Sequence, residues 1–538
     1  TLLNDTKQMK SDTSGTLMTA RSLQYVYVSN GTKVWECSDT SASTLVWNEC
    51  HFDTSGGYST QPGNGEIYSI DCTDGYVFVA TKRGIYYYNS TAGTRLFYGY
   101  AKTDGTYAPN GYSLVRYCNN RVVAAENGGP TLFVFQPTHI TGNYPTTGGA
   151  PTTSGANQDI MMTHPNPNFR WIDACGGSSA IYYAGYANGT TSSGGQVYKS
   201  GVIVDATTLA VNLAYPTVAL PLSPDEYPTC IQNYLNYVFI GTNLGIRMCQ
   251  TLSQYDPSAN GSGDLKSGPL IPNAQQPVTY PVKAITGSGR YVWFGWSNYD
   301  DSSTGIGRID LSNFVNNNEL APAYASDLMV STQGEILDLS WDSALRQPII
   351  AVSGHGWYTT DTTKYVSEGT LETGGFTYGI PDHKIPVFFD YGVDMPDDTP
   401  AGATPAYVSA TLESEPFDPS QKQDIPVSAA TEGLSQVSIA NGTAYQSEMF
   451  QSVIKIASDS AQHTTPTLYR WTLESWPAVV TESSITVPIQ LHLVNIVDGL
   501  ETYADPYAQF QFLEDLRRSQ TIVMYQAGTL TANVIVES

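Results

Sequence analysis

Short hydrophobic segments separated by tight turns recur along the first two thirds of the chain. The clearest copy, EIYSIDCTDGYVFVATKRGIYYYN, covers residues 66–89, and YVFIGTNLGIRMCQ at 237–250 matches its second half almost position for position. These aromatic and β-branched runs ending at Gly, Asn or Thr are typical of β-strands and turns. We count seven copies, whose second strands begin near Tyr25, Tyr76, Arg121, Ala180, Tyr237, Tyr291 and Pro348.

The spacing of the copies indicates the architecture of this region. Their second strands begin 45 to 59 residues apart, which fits propeller blades of four antiparallel strands, roughly 40–50 residues plus loops. The copies contain no helical pattern, which excludes helical solenoids, and a parallel β-helix needs a shorter period of roughly 20 residues. We therefore predict an all-β fold that begins with a β-propeller over residues 1–375. Seven blades fit best, and six or eight stay open as alternatives.

The pattern changes after about Gly374, where the repeat stops and longer strands begin. Apolar and polar residues alternate over 485–493, which predicts a strand with one buried face. A hairpin is predicted near the C-terminus, with its turn at Ala527-Gly528. These elements predict a β-sandwich domain over residues 376–538.

One segment of this domain has the pattern of a helix, Pro506–Arg518. Asp505 suits the N-cap, Pro506 suits the first helical position, and Arg517 and Arg518 complement the dipole in the last turn. Phe510, Leu513 and Leu516 fall on one side. We therefore predict one short helix packed on the sandwich.

The overall composition narrows the function classes. Apolar residues make up 41% of the chain and charged residues 14%, while tyrosine occurs 37 times. The formal charge of −24 argues against nucleic-acid binding, which needs clustered Lys and Arg to neutralise phosphates. The chain has no apolar run of about 18 residues, so no membrane span is predicted.

The cysteines and acidic residues do not have the spacing of a metal site. Seven cysteines lie between Cys37 and Cys249 without CxxC spacing, and we predict that all are free thiols. Four of them lie in predicted first strands, which line the axis of a propeller: Cys72, Cys118, Cys175 and Cys230. Acidic clusters occur at Asp300-Asp301, at Asp256 with Asp264, and at Asp394, Asp397 and Asp398. We predict no cofactor and no metal site, with Ca²⁺ at one of these clusters left open.

Aromatic residues in the predicted loops are the candidates for ligand binding. Such rings stack on sugars when a rigid scaffold positions the loops, although anchoring of the loop itself is the alternative. The candidates are Tyr107, Tyr112, Tyr144, Tyr299 and Trp357. Aromatic residues of the strands, such as Trp293 and Trp296, are interpreted as packing between blades.

No catalytic motif supports an enzymatic function. The sequence has no HExxH, GxSxG or P-loop motif, and its seven histidines are scattered. We therefore predict that the protein is not an enzyme. The alternative is a secreted propeller hydrolase or lyase acting on polysaccharide, because two facing carboxylates are enough for such chemistry.

The last hundred residues resemble a known family. The segments FQSVIKIAS from Phe450, TPTLYRWTLESWP from Thr465, ITVPIQLHL, DGLETY from Asp498 and FLEDLRRSQTIVMYQAG from Phe512 are similar to the C-terminal domain of siphophage minor tail proteins. The resemblance implies a structural protein in the virion tail that contacts other phage tail proteins and is oligomeric there. It also implies that the propeller is a spacer or a module that binds host cell-surface glycan.

Overall fold

The computed structural model describes residues 3–13, 15–41, 44–52, 66–89, 95–102, 110–136, 160–187, 194–204, 211–252, 264–271, 281–297, 304–316, 320–329, 334–379, 383–416, 422–439, 445–478, 494–497, 500–503, 506–519, 523–527 and 530–534. These residues form 40 β-strands and a single α-helix. The predicted all-β class is confirmed.

The first 29 strands form seven units of four or five strands, which we call sheets and number in chain order. Sheets 1 and 2 are joined into one eight-stranded sheet by the parallel pairing of their last strands. Strand β1 is Asn4–Ser11. Sheet 1 contains β2 (Met18–Arg21), β3 (Val26–Ser29), β4 (Val34–Cys37) and β5 (Asn48–Phe52). Sheet 2 contains β6 (Ile67–Cys72), β7 (Tyr76–Thr81), β8 (Gly84–Asn89) and β9 (Leu96–Lys102). Sheet 3 contains β10 (Tyr112–Cys118), β11 (Arg121–Glu126), β12 (Thr131–Phe135) and β13 (Ile160–Thr163).

Sheets 4 to 7 repeat this order. Sheet 4 contains β14 (Phe169–Gly176), β15 (Ala180–Ala187), β16 (Gln196–Val204), β17 (Val211–Leu213) and β18 (Thr217–Pro221). Sheet 5 contains β19 (Pro228–Tyr234), β20 (Tyr237–Thr242), β21 (Gly245–Thr251) and β22 (Leu265–Ile271). Sheet 6 contains β23 (Ile285–Ser288), β24 (Tyr291–Ser297), β25 (Thr304–Asn316) and β26 (Ala321–Met329). Sheet 7 contains β27 (Ile336–Asp342), β28 (Gln347–Val352) and β29 (Gly356–Tyr365), and its fourth strand is β1.

Each sheet packs on its neighbours through both of its faces, which explains the continuous hydrophobic runs of the second strands. In β7, Val77 and Val79 join a cluster with sheet 1, whereas Phe78 joins a cluster with sheet 3. Burying one such side chain contributes about 1.5–3 kcal/mol. The last cluster joins sheet 7 to sheet 1, for example through Ile349 and Val28. The series of seven sheets is therefore closed.

Tight turns connect the first and second strands within the sheets. Asn119 and Asn120, and likewise Leu235 and Asn236, have positive φ angles, as two-residue type I′ hairpin turns require. Asn accepts this conformation readily, but a leucine with a φ of 47° is uncommon. These turns place the ends of all the first strands at the same end of the closed series, which we call the turn face.

From β30 (Glu368–Glu372) onwards, the strands belong to sheets that contain none of the first 29 strands. Sheet 8 contains β30, β32 (Tyr407–Ser414), β33 (Gln423–Val427) and β35 (Phe450–Ala457), and sheet 9 contains β31 (Lys384–Asp394), β34 (Gly433–Ser438) and β36 (Thr467–Pro477). The two sheets share one core, in which Phe389 and Tyr391 of sheet 9 pack with Val408 and Ile454 of sheet 8. The change of sheet thus precedes the predicted boundary at residues 375 and 376, because β30 pairs with β35.

The chain then forms two hairpins and the helix. The first hairpin pairs β37 (Val494–Val497) with β38 (Leu500–Tyr503), and the second pairs β39 (Val523–Ala527) with β40 (Leu530–Val534). The predicted helix is confirmed as α1 (Pro506–Ser519), and the predicted hairpin is closed by the pair Ala527 and Leu530. The predicted strand over 485–493 lies outside the described residues.

The predicted packing of the helix is not seen among its described side chains. Phe510 was expected on a buried side, but 56% of it is exposed, and Tyr507 and Phe512 are also exposed. Leu513 and Leu516 are half-buried. Among the described residues, the structure contains no helix with the length and apolar character of a membrane span.

Candidate functional site at the central cavity

A cavity of about 640 Å³ lies where the first strands of the seven sheets meet. Residues of β2, β6, β10, β14, β19, β23 and β27 all line it. Its wall is mainly polar, with charged side chains from several sheets. The cavity is therefore a candidate functional site, because concave sites with convergent polar groups are common binding sites.

Arg116 is the central cation of the cavity wall. Its Nε donates to Asp173 Oδ1 at 2.8 Å, and its Nη1 donates to Ser69 Oγ at 2.9 Å and to the carbonyl of Val115 at 3.0 Å. Burial opposes its charge, but the carboxylates of Asp173, Asp71 and Asp338 outweigh this effect and raise the pKa of Arg116. The guanidinium thus stays charged and links first strands from sheets 2, 3 and 4.

Three carboxylates around the cavity share one bonding pattern. Each accepts the backbone N–H of the following residue and a backbone N–H from the first strand of the next sheet. Asp71 accepts from Cys72 (2.8 Å) and Tyr117 (2.7 Å), Asp173 from Ala174 (2.9 Å) and Ile231 (3.0 Å), and Asp338 from Leu339 (2.9 Å) and Thr19 (2.8 Å). These carboxylates link sheet 2 to sheet 3, sheet 4 to sheet 5, and sheet 7 to sheet 1.

Burial changes the acidity of two of these carboxyl groups. It raises the pKa of Asp338 from 3.8 to about 6, although the N–H of Thr19 and the charge of Arg116 act in the opposite direction. Burial also raises the pKa of Asp71. A carboxyl with a raised pKa is a candidate proton donor. Its N–H partners give Asp338 a structural role as well.

Three cysteines also line the cavity, Cys118, Cys175 and Cys230. They are buried and free, and Cys72 lies in the equivalent first strand of sheet 2. The predicted placement of these four cysteines in first strands is confirmed. Burial raises the pKa of all four thiols, so the reactive thiolate is disfavoured.

Turns of neighbouring sheets contact one another on the turn face. Asn119 Nδ2 donates to the carbonyl of Gly177 at 2.8 Å, and the hydroxyl of Tyr234 donates to the carbonyl of Gly289 at 2.8 Å. The Tyr234 ring lies directly against Gly287, where a Cβ atom would meet ring carbons at 2.2–2.6 Å. Only glycine fits this position, and the contact holds the turns of sheets 5 and 6 in fixed relative positions.

A row of aromatic and arginine side chains extends from the cavity along the turn-face end of sheet 6. Trp341 of β27 lines the cavity and stacks on Trp293 of β24, with ring centroids 5.8 Å apart and an interplanar angle of 26°. The Arg308 guanidinium lies 5.2 Å from the Trp293 centroid and 4.8 Å from that of Tyr291. Arg290 lies 4.8 Å from the Tyr291 centroid. We call these five residues the aromatic strip.

The strip was missed in the sequence because Trp341 belongs to a different repeat from the other four members. Trp293 was interpreted as packing between blades, which is its role on one side only, since it is half-buried. The alternation of Tyr291 and Trp293 in β24, directly opposite Asp310 and Arg308, was a signal that the four share one face of the sheet. Nothing in the sequence indicated that Trp341 joins them.

The structure contradicts two of the predicted binding residues. Tyr112 and Trp357 do not lie in loops: they are the first residue of β10 and the second residue of β29, and each is 0% exposed. Tyr112 packs edge-to-face on Phe133, and the Trp357 indole donates to the carbonyl of Met18 at 3.1 Å. Both are core residues, because each ring packs in a cluster between two neighbouring sheets. Tyr107, Tyr144 and Tyr299 lie outside the described residues.

The structure describes only some of the acidic residues that were considered as Ca²⁺ ligands. Asp256, Asp300 and Asp301 lie outside the described residues, and Asp264 forms an ion pair with Lys199. In the part of the chain that the structure describes, no three His, Cys, Asp or Glu side chains are grouped closely enough to hold a metal ion.

Comparison with known proteins gives structural matches of low sequence identity. No family model matches, and no curated protein matches. The extracellular domain of a one-component system of B. thetaiotaomicron is 12% identical over 74% of this chain, with a TM-score of 0.38, and this chain covers 46% of it. Kluyveromyces lactis Hsv2 is 10% identical over 63% of this chain, which covers 90% of that protein, with a TM-score of 0.34. The N-terminal domain of Nup159 is also 10% identical, over 67% of this chain, which covers 96% of that domain, with a TM-score of 0.36.

Proposed function

We propose that the seven closed sheets are the blades of a seven-bladed β-propeller in the predicted domain 1–375, and that sheets 8 and 9 form a β-sandwich in the predicted domain 376–538. Two observations support the propeller: the first strands of all seven sheets border one cavity, and β1 supplies the outermost strand of sheet 7. Pairing of an N-terminal strand with the last blade closes the ring and protects its edges.

We further propose that the protein is a structural component of a phage tail tip or baseplate. In this proposal the sandwich attaches to other tail proteins, and the propeller is a spacer or a module that binds host-surface glycan. The observation that carries the proposal is the distribution of exposed apolar side chains. Nine of the sixteen large exposed ones among the described residues follow Glu368, where fewer residues are described. Such surfaces are typical of interaction sites.

Sheet 9 contributes strand edges and exposed apolar side chains to the proposed attachment surface. In the part of the chain that the structure describes, its outer strands β34 and β36 each pair with β31 alone, so each has one unpaired edge. Leu434 on β34 is 71% exposed, and Tyr469 and Trp476 on β36 are 58% and 62% exposed. Two of the five segments that resemble tail proteins coincide with β35 and β36, so part of the resemblance lies on sheets 8 and 9.

Mass spectrometry of purified virions tests the tail assignment directly. We expect the full chain among the stoichiometric components of the particle, released together with tail proteins when tails are separated from heads. Absence of the chain from particles whose tails are intact would contradict the proposal.

We propose a non-catalytic role for the cavity, because its three carboxylates are engaged with backbone N–H groups of adjacent sheets. The alternative, a hydrolase or lyase acting on polysaccharide, is favoured by one observation, the raised pKa of Asp338. Incubation of the purified protein with host-envelope polysaccharide separates the two. Release of reducing ends that is lost in Asp338→Asn would establish the enzyme and overturn the non-catalytic role.

A further inference from the structure

We propose that the outer face of sheet 9 binds helix α1 of a second copy of this chain. The inference rests on the proposed role of the sandwich as the attachment region, and it names the partner of one surface of that region. The contact joins two surfaces, the face of sheet 9 that points away from the sandwich core and the apolar side of the helix. We call them the sheet 9 face and the helix stripe.

The central strand of sheet 9 alternates between the sandwich core and the sheet 9 face. Three residues of β31 are 0% exposed in the core: Phe389, Tyr391 and Val393. Successive side chains of a strand point to opposite faces of its sheet. Phe388, Asp390 and Gly392 therefore lie on the sheet 9 face, at the centre of the three strands.

Gly392 lies between two exposed apolar side chains on this face. Leu434 is its cross-strand partner in β34, and 71% of Leu434 is exposed. The Tyr469 ring of β36 lies against Gly392, where a Cβ atom would meet its Cε2 atom at 2.5 Å, and 58% of Tyr469 is exposed. The two side chains and the glycine between them form an apolar patch across all three strands.

The helix stripe is also left partly uncovered. Phe510, Leu513 and Leu516 follow one another at intervals of three residues and lie on one side of α1, with Phe512 beside them. Phe510 and Phe512 are 56% and 62% exposed, and Leu513 and Leu516 are half-buried. A helix with an apolar stripe normally packs that stripe against another element. The helix therefore presents a surface of the kind that covers a sheet.

The two surfaces match in size. The 14 residues of α1 make a helix about 21 Å long and roughly 10 Å wide. The 11 residues of β31 extend over about 36 Å, and three strands spaced about 4.8 Å apart form a face about as wide as one helix. Packing of a helix on a sheet is one of the standard ways in which both bury their apolar sides.

The helix of the same chain does not cover this face. Leu434 and Tyr469 are exposed in the same structure in which Phe510 and Phe512 are exposed. A second copy has both surfaces, so it can place its helix on the first copy and accept the first copy's helix on its own sheet 9 face. Two such reciprocal contacts make a closed, two-fold symmetric dimer.

A polar group at the centre of the face fits the same partner. Asp390 Oδ1 has no hydrogen-bond donor within the described part of the chain. Gln509 lies on the same side of α1 as Leu513, four residues later, and its amide is a donor. A donor in the middle of an apolar stripe offsets the cost of covering a carboxylate.

The mass of the purified full chain in solution tests the dimer. Gel filtration with light scattering should give the mass of two chains, and dilution should give that of one. Leu434→Glu on the sheet 9 face and Phe510→Gln in the helix stripe should each raise the dissociation constant at least tenfold. The matched controls are Leu23→Glu, which changes an equally exposed leucine of sheet 1, and Asp515→Gln on the opposite side of the helix.

The controls should change the dissociation constant less than about twofold, and all four variants should keep the circular dichroism spectrum of the wild type. A wild type that stays monomeric at its highest soluble concentration overturns the proposal. Equal effects of an interface variant and its control, at unchanged spectra, overturn it as well.

Cross-linking shows which surfaces meet. Leu434→Cys and Phe510→Cys each add one exposed thiol to a chain whose described cysteines are buried or half-buried. A short bismaleimide should join two chains when the two variants are mixed and not when either variant is alone. Cross-links within one variant alone would show that like surfaces pair. A double variant that cross-links only within single chains would place the helix on its own sheet 9. Each of these two results overturns the proposal.

These results are independent of the virion test. A chain that dimerises through these surfaces but is absent from virions would contradict the tail proposal and leave the dimer assigned. A chain found in virions that is monomeric in solution would contradict the dimer alone.

Discussion

The Oδ2 atom of Asp338 accepts the backbone N–H of Thr19 at 2.8 Å, although the two residues are 319 positions apart in the chain. This bond joins the first strand of sheet 7 to the first strand of sheet 1, the same two sheets that β1 brings together by pairing with β29. The closed arrangement thus has the backbone hydrogen bonds between β1 and β29 at its outer edge. At its centre it has the hydrogen bond between Asp338 and Thr19.

Asp338→Ala should destabilise the protein by about 1–3 kcal/mol, because the N–H groups of Thr19 and Leu339 lose their acceptor in a half-buried position. Asp361→Ala is the control, since Asp361 lies in an exposed segment and accepts bonds from Thr363 within the described residues, and it should cost about 0.5 kcal/mol. Urea unfolding measures both free energies. Equal losses would show that the Asp338 bond does not support ring closure.

Asp338 should also make stability depend on pH. Burial raises its pKa in the folded protein to about 6, above the ordinary 3.8, so the folded chain binds more protons in this interval. Its stabilising contribution is fully present below about pH 4 and is lost as the pH rises through 6. The free energy of unfolding of the wild type minus that of Asp338→Asn should therefore fall by about 1 kcal/mol between pH 4 and 7.5. A constant difference across this range would contradict the raised pKa.

The seven thiols should be reduced and unreactive in the folded protein. Non-reducing mass analysis after denaturation in a thiol-alkylating reagent should give seven modified cysteines. In the native state, Cys118, Cys175 and Cys230 should be modified orders of magnitude more slowly than free cysteine, because burial raises the pKa of each thiol. An intact disulfide would indicate a different arrangement of the first strands and folding in an oxidising compartment.

Trp357→Ala should destabilise the protein by about 3–5 kcal/mol, because a fully buried ring is lost and the carbonyl of Met18 loses its donor. Trp476→Ala removes the same side chain from an exposed position and should change stability by no more than about 0.5 kcal/mol. Thermal and urea unfolding compare the two. A mild effect at Trp357 would return it to the group of candidate ligand-binding residues.

Trp476→Glu should reduce incorporation of the protein into virions at least tenfold, because it places a charge in the exposed apolar surface of sheet 9. Leu23→Glu changes an equally exposed apolar residue on the turn face of sheet 1 and should leave incorporation unchanged. Complementation of a deletion phage, followed by quantitative mass spectrometry of particles, measures both. Loss of incorporation with Leu23→Glu alone would reverse the roles assigned to the two regions.

The amino-acid sequence by itself determined the local structure of this protein. Runs such as Tyr76–Thr81 have apolar residues at successive positions because both faces of the strand are buried, and this property is visible without coordinates. The helix at Pro506–Ser519 and the hairpin closed by Ala527 and Leu530 were equally visible, because caps and turns depend on neighbouring residues. The all-β class follows from these signals.

The tertiary structure decided which distant residues meet. Glycine before Tyr112 and before Trp357 is as typical of a loop as of a strand start, and only packing between sheets buries these two rings completely. Arg116 and Asp173 face each other, and Trp293 stacks on Trp341, because the sheets close in a ring and bring strand ends from different repeats together. The spacing of residues along the chain does not indicate that closure, so the cavity and the aromatic strip could be recognised only in the tertiary structure.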